Sequence, residues 1–137
     1  MKLRFTGWLG ALALVMSSVA PAHHSFAMFD QNKQLPLKGT VLEFQWTNPH
    51  AFIQLETPQS DGAKQVWSIE LNSPNNLKRQ GWKSSSLKAG DNVTVVINPL
   101  RDGQKGGLFV SVTLPDGKVL GDATRARGGP VNVPTVP

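Results

Sequence analysis

Apolar residues recur at every second position in five separate stretches of this chain, and one stretch between them breaks the period. A two-residue period puts alternate side chains on opposite faces, so a chain built this way folds into half-buried strands. Gly39–Trp46 sets Leu42, Phe44 and Trp46 against Val41, Glu43 and Gln45. His50–Thr57 sets Ala51, Ile53 and Leu55 against His50, Phe52, Gln54 and Glu56. Lys64–Leu71 alternates Trp67, Ile69 and Leu71 with Val66, Ser68 and Glu70. Asn92–Asn98 carries Val93, Val95 and Ile97, and Leu108–Leu114 places Leu108, Val110, Val112 and Leu114 on one side. Turn chemistry separates the runs at Thr47-Asn48-Pro49, Pro58–Ala63 and Pro99–Gly107, and Asp116-Gly117 closes a short last hairpin to Lys118–Leu120.

The interruption is helical. Asn72-Ser73-Pro74 supplies an N-cap followed by proline, Asn75–Gln80 makes about two turns, and Gly81 ends them. Three strands, a short helix and two strands predict an all-β fold with one short helix, an OB-fold-like five-stranded Greek-key barrel. A small sandwich is the competing arrangement, and the helix between the third and fourth strands favours the barrel. The barrel is expected over residues 37–120, after an N-terminal arm at 23–36. Beyond it lies a disordered tail at 121–137, where the apolar pattern stops.

The first 22 residues belong to a different chemistry. Lys2 and Arg4 precede a nearly unbroken apolar run from Phe5 to Met16, and Ala20-Pro21-Ala22 is a small-x-small cleavage site, so a secretory signal peptide is expected. The run is too short to span a bilayer, so no membrane insertion is expected after cleavage. Taking 22 residues from 137 leaves 115, and losing Lys2 and Arg4 lowers the net charge from +5 to +3. The chain has no Cys, which excludes thiolate chemistry and disulfides and leaves the apolar core to hold the fold. A charge of +3 dispersed along the sequence carries no nucleic-acid footprint, so nucleic acid is not an expected partner. Gly103-Gln104-Lys105-Gly106-Gly107 has the wrong spacing for a P-loop, and no Ser/His/Asp spacing or nucleophile elbow occurs, so no enzyme is expected.

Several segments together resemble a known family. They are Ala22-His23-His24-Ser25-Phe26, Leu37-Lys38-Gly39-Thr40-Val41, Gln45-Trp46-Thr47-Asn48-Pro49-His50-Ala51, Gly81-Trp82, Leu87-Lys88-Ala89-Gly90-Asp91 and Asn98-Pro99-Leu100-Arg101-Asp102-Gly103. They resemble a family of small exported bacterial proteins known only as a domain of unknown function (DUF6152-like), across most of residues 22–117. The resemblance implies a periplasmic location in Gram-negative bacteria and supplies neither an activity nor a site.

The candidate sites therefore rest on the residues. In an OB-fold the ligand lies across the second and third strands, between the loops that follow the first and fourth. Matching apolar faces sets Gln45 opposite His50, Glu43 opposite Phe52, His50 opposite Glu70 and Glu56 opposite Lys64. A ligand or partner face is thus expected around His50, Phe52, Glu70 and Arg101. A carboxylate beside an imidazole fixes its tautomer, although many cross-strand Glu–His contacts serve no function. Trp46, Trp67 and Trp82 are expected in the core or at its rim. Cleavage after Ala22 would give His23 a free amine, so that His23, His24 and His50 offer nitrogen ligands suited to copper, with the Met28 thioether available to Cu(I). The first expectation is a non-enzymatic periplasmic binding module for an unidentified ligand or protein. The alternative is a periplasmic copper-binding protein.

Overall fold

The structure, a computed structural model, describes residues 26–122. The expected signal peptide, His23, His24 and residues 123–137 lie outside the described residues. Six strands and one helix follow in order: β1 Leu35–Gln45, β2 Phe52–Pro58, β3 Lys64–Glu70, α1 Pro74–Arg79, β4 Asn92–Pro99, β5 Gly106–Thr113 and β6 Val119–Gly121. The strands hydrogen-bond in the order β3-β2-β1-β4-β5-β6, all antiparallel, and β3 also pairs with β5 in parallel. That last pairing closes five strands into a barrel with the helix between β3 and β4, the OB-fold architecture. β6 adds to the free side of β5.

β1 has two partners and must bend between them. Leu35–Thr40 pairs with β4, and Thr40–Gln45 pairs with β2. The expected strand began at Gly39, but Leu35–Lys38 has a ladder of its own, so the expected arm gives up Leu35 and Pro36 to β1. At the bend a Cβ on Gly39 would overlap the Glu56 carbonyl oxygen and stand 3.1 Å from Leu55 Cγ. Only glycine fits this approach of two backbones. Two residues farther on, the register shifts between Val41 and Glu43, leaving Leu42 as an extra residue. Such a bulge moves the residues before it to the other face. Val41 is therefore in the core and Leu42 is 43% exposed, the reverse of the expected faces, while Phe44 and Trp46 pack against the core as expected.

A second bulge corrects β5. Ile97 pairs with Phe109 and Val96 with Ser111, so Val110 is the extra residue. Phe109 and Val112 enter the barrel core instead of an unbroken row of Leu108, Val110 and Val112. Val41, Ile53, Leu55, Ile69, Val95, Ile97, Phe109 and Val112 fill the barrel.

Residues 74–91 cap one end through three anchors, Leu77, Trp82 and Leu87, all buried in the same core. Ser73 caps α1 by accepting a hydrogen bond from the Asn76 N–H at 3.3 Å, and Gly81 follows with φ +88°. Trp82 meets Phe109 edge-to-face at 5.4 Å and donates its indole N–H to the Gly121 carbonyl at 3.2 Å. The packed domain therefore does not stop at residue 120. Asp122 is buried, accepting from Gln80 Nε2 at 3.2 Å and from Asn72 Nδ2 at 3.5 Å.

The segment before β1 also packs. A single 3₁₀ turn, Phe26–Met28, leads to Phe29, which is 4% exposed and bridges to Leu100. Asp30 donates its N–H to the Pro99 carbonyl at 2.8 Å, and Asn98 Nδ2 donates to the Lys33 carbonyl at 2.8 Å. Phe29, Val96 and Leu108 are buried without belonging to the barrel core. Phe29 and these backbone and side-chain bonds together attach the arm to β4 and its loop.

Candidate ligand-binding face

The outer face of β1, β2 and β3 is built by alternation. Ile53, Leu55 and Ile69 turn inward, so Phe52, Gln54, Glu56, Val66, Ser68 and Glu70 turn out. Glu43 pairs with Gln54, and Gln54 pairs with Ser68, making one row across three strands. The row is hydrogen-bonded along its length. Gln54 Nε2 reaches Gln45 Oε1 at 3.2 Å and Ser68 Oγ at 3.1 Å, and Gln45 Nε2 donates to Glu43 Oε2 at 3.1 Å. The next row is Gln45, Phe52 and Glu70.

The expected pairing register is corrected by two residues. Gln45 and Glu70 oppose Phe52 rather than His50, Glu43 opposes Gln54 rather than Phe52, and Lys64 opposes Pro58 rather than Glu56. Both the β1–β2 and the β2–β3 turns are centred one residue farther along the chain than expected, which moves each register by two. Two of the expected side-chain pairs form nonetheless, because long side chains reach diagonally across strands. His50 Nδ1 lies 3.6 Å from Glu70 Oε1, and Lys64 Nζ lies 2.8 Å from Glu56 Oε1. His50 Nδ1 is also 3.1 Å from the Leu71 carbonyl oxygen. A carbonyl only accepts, so Nδ1 carries the proton of this bond and the ring's orientation is set.

The structure brings His50, Phe52 and Glu70 together and commits Arg101 elsewhere. Arg101 Nε donates to the Ala27 carbonyl at 3.1 Å, its guanidinium lies 3.8 Å from Asp30 Oδ1, and its backbone N–H donates to the Met28 carbonyl at 3.0 Å. Its visible role is to hold the N-terminal arm on the β4–β5 loop, a partner the sequence pattern did not indicate. Gln54 and Ser68 were overlooked as site residues, although their places in the alternating strands already put them between Glu43 and Glu70.

For copper, His50 lies on the β1–β2 loop and Met28 on the 3₁₀ turn against the β4–β5 loop. His23 and His24 lie outside the described residues, among which no group of three or more His, Asp or Glu is arranged to hold a metal ion. Trp82 is buried, and Trp46 and Trp67 pack half-buried against the core as expected. Lys105 Nζ covers Trp67 at 5.1 Å from the ring centre. A groove of about 440 Å³ opens at the other end of β2, lined by Lys38, Gly39, Thr40, Pro58, Asn92 and Thr94 among others. It is not part of the expected face. No described helix is long and apolar enough to cross a membrane.

Among solved structures, the chain is similar to the mitochondrial single-stranded DNA binding protein Rim1 of S. cerevisiae. The identity is 14% and the TM-score 0.44, over 61% of this chain and 94% of that one, and the likeness is one of fold. The expected exclusion of nucleic acid does not stand beside this finding, since the similar structure is that of a protein named for binding single-stranded DNA. No curated protein matches the chain. The model of a family of unknown function, DUF6152, matches residues 12–110, most of the chain, and the chain belongs to that family.

Proposed function

We propose that this protein is an exported, periplasmic binding module without catalytic activity, whose ligand lies across the outer face of β1, β2 and β3. The reading rests on one observation, the hydrogen-bonded row of Glu43, Gln45, Gln54 and Ser68 beside Phe52 and the His50–Glu70 pair. Polar groups that already hold one another in place lose little rotamer freedom when a ligand arrives, and Phe52 adds a half-buried aromatic surface. Glu43, Glu56 and Glu70 outnumber the one lysine among them, Lys64, which suits a neutral or cationic ligand. Export is supported by the basic and apolar start of the chain with its small-residue site.

The test is a nuclear magnetic resonance titration with neutral oligosaccharides, lysine-rich peptides and a single-stranded oligonucleotide. A ligand of this face shifts the signals of Gln45, Phe52, Gln54 and Ser68. Phe52→Ala and Gln54→Ala then each weaken binding by about fivefold or more, the equivalent of ~1 kcal/mol. Shifts confined to the groove near Lys38 and Asn92, with neither variant impaired, refute the assignment.

A further inference from the structure

We propose that the cap segment, residues 74–91, is a docking surface for the headgroups of an anionic phospholipid bilayer. The segment is tied to the barrel at three points, and each buried anchor is followed at once by exposed cations. Leu77 precedes Lys78 and Arg79, Trp82 precedes Lys83, and Leu87 precedes Lys88. Burying the anchors thus turns four positive side chains outward on one short stretch of surface. None of the four cationic heads has an ion-pair partner among the described residues. Arg79 reaches only the neutral amide of Asn76. The segment's one carboxylate, Asp91, accepts a hydrogen bond from the Lys88 backbone N–H at 2.9 Å.

The carboxyl end of a helix favours cations, which accounts for Lys78 and Arg79. Lys83 and Lys88 lie beyond the helix, so the dipole does not explain them. Clustered Lys and Arg are what an anionic headgroup layer attracts, each adding to the binding and each weakened by salt. A single nucleic-acid strand is held differently, by cations together with aromatic faces on which its bases stack. The aromatic side chain of this segment, Trp82, is buried in the core, so the cap offers charge without a stacking surface.

The experiment uses the chain from His23 to Pro137, since every described element and contact lies within residues 26–122. It is mixed with vesicles of phosphatidylglycerol and phosphatidylcholine in equal parts, or of phosphatidylcholine alone, at low and high salt, and sedimented. Binding is expected to the anionic vesicles only, and to be lost at high salt. The combined substitutions Lys78→Gln, Arg79→Gln, Lys83→Gln and Lys88→Gln lower it by about 100- to 1,000-fold. A matched set at exposed cations elsewhere, Lys33→Gln, Lys38→Gln, Lys64→Gln and Lys118→Gln, removes the same net charge and lowers it by less than about tenfold. Equal losses from the two sets, or no binding to anionic vesicles, overturn the proposal. So does a single-stranded oligonucleotide that depends on the same four residues and displaces the protein from the vesicles.

Discussion

Replacing Asp122 by alanine tests how the end of the domain is held. Its carboxylate is 3% exposed and faces two side-chain amides, Gln80 Nε2 at 3.2 Å and Asn72 Nδ2 at 3.5 Å. Asn72 in turn accepts from the Ser73 N–H and from Asn76 Nδ2, both at 2.8 Å, so the network runs from the end of β6 into the first turn of α1. Alanine removes the buried acceptor that these two half-buried amides share. A buried donor left without its partner costs about 1–3 kcal/mol, and the 3.5 Å bond stands at the low end of that range. The expected loss is therefore about 2–4 kcal/mol, a large part of the ~5–15 kcal/mol that holds a domain. In urea this moves the unfolding midpoint down by about 1–3 M with an unchanged slope. Asp122→Asn keeps the shape and one acceptor oxygen, and is expected to cost roughly half as much. A chain ending after Leu120 loses Asp122 and also the Gly121 carbonyl that accepts from Trp82, and is expected to lose more stability than Asp122→Ala. The reasoning fails if Asp122→Ala changes stability by less than about 0.5 kcal/mol, the ordinary scatter of surface substitutions.

Gly39→Ala pushes a methyl group into the Glu56 carbonyl at the bend of β1, and is expected to destabilise by about 1–3 kcal/mol in urea unfolding. A neutral result would mean that β1 bends elsewhere. Phe29→Ala empties a site that is 4% exposed and is expected to cost about 2–4 kcal/mol. The backbone amide of Asp30, bonded to the Pro99 carbonyl, should then exchange its hydrogen faster, and unchanged exchange would show that the arm is not held through Phe29.

The sequence and the structure part company where a local pattern meets a long-range one. Ile53, Leu55, Ile69, Val93, Val95 and Ile97 were legible as core because each lies in an unbroken two-residue period. Val41 and Phe109 were not, because a bulge beside each of them shifts the faces, and a bulge is set by how far two strands must curve around one barrel. His50 and Glu70 were legible as neighbours even though the register was wrong, since His50 just precedes β2 and Glu70 ends β3, at the same end of that antiparallel pair. Arg101 was placed with them by loop position alone. Its partners, Ala27, Met28 and Asp30, come from more than 70 residues away and follow no sequence spacing.

The sequence by itself determined the element order, the one helix with its Ser73 cap, and the inward rows of β2, β3 and β4. Each depends on spacing within a few residues, which is where backbone geometry and side-chain alternation act. Only the tertiary structure decided the closure of β3 on β5, the bend at Gly39 and the attachment of Asp122 to the helix. It also decided the amide row across three strands. These depend on which distant segments the core draws together, and burial favours any apolar face equally until backbone hydrogen bonds and curvature choose among the partners.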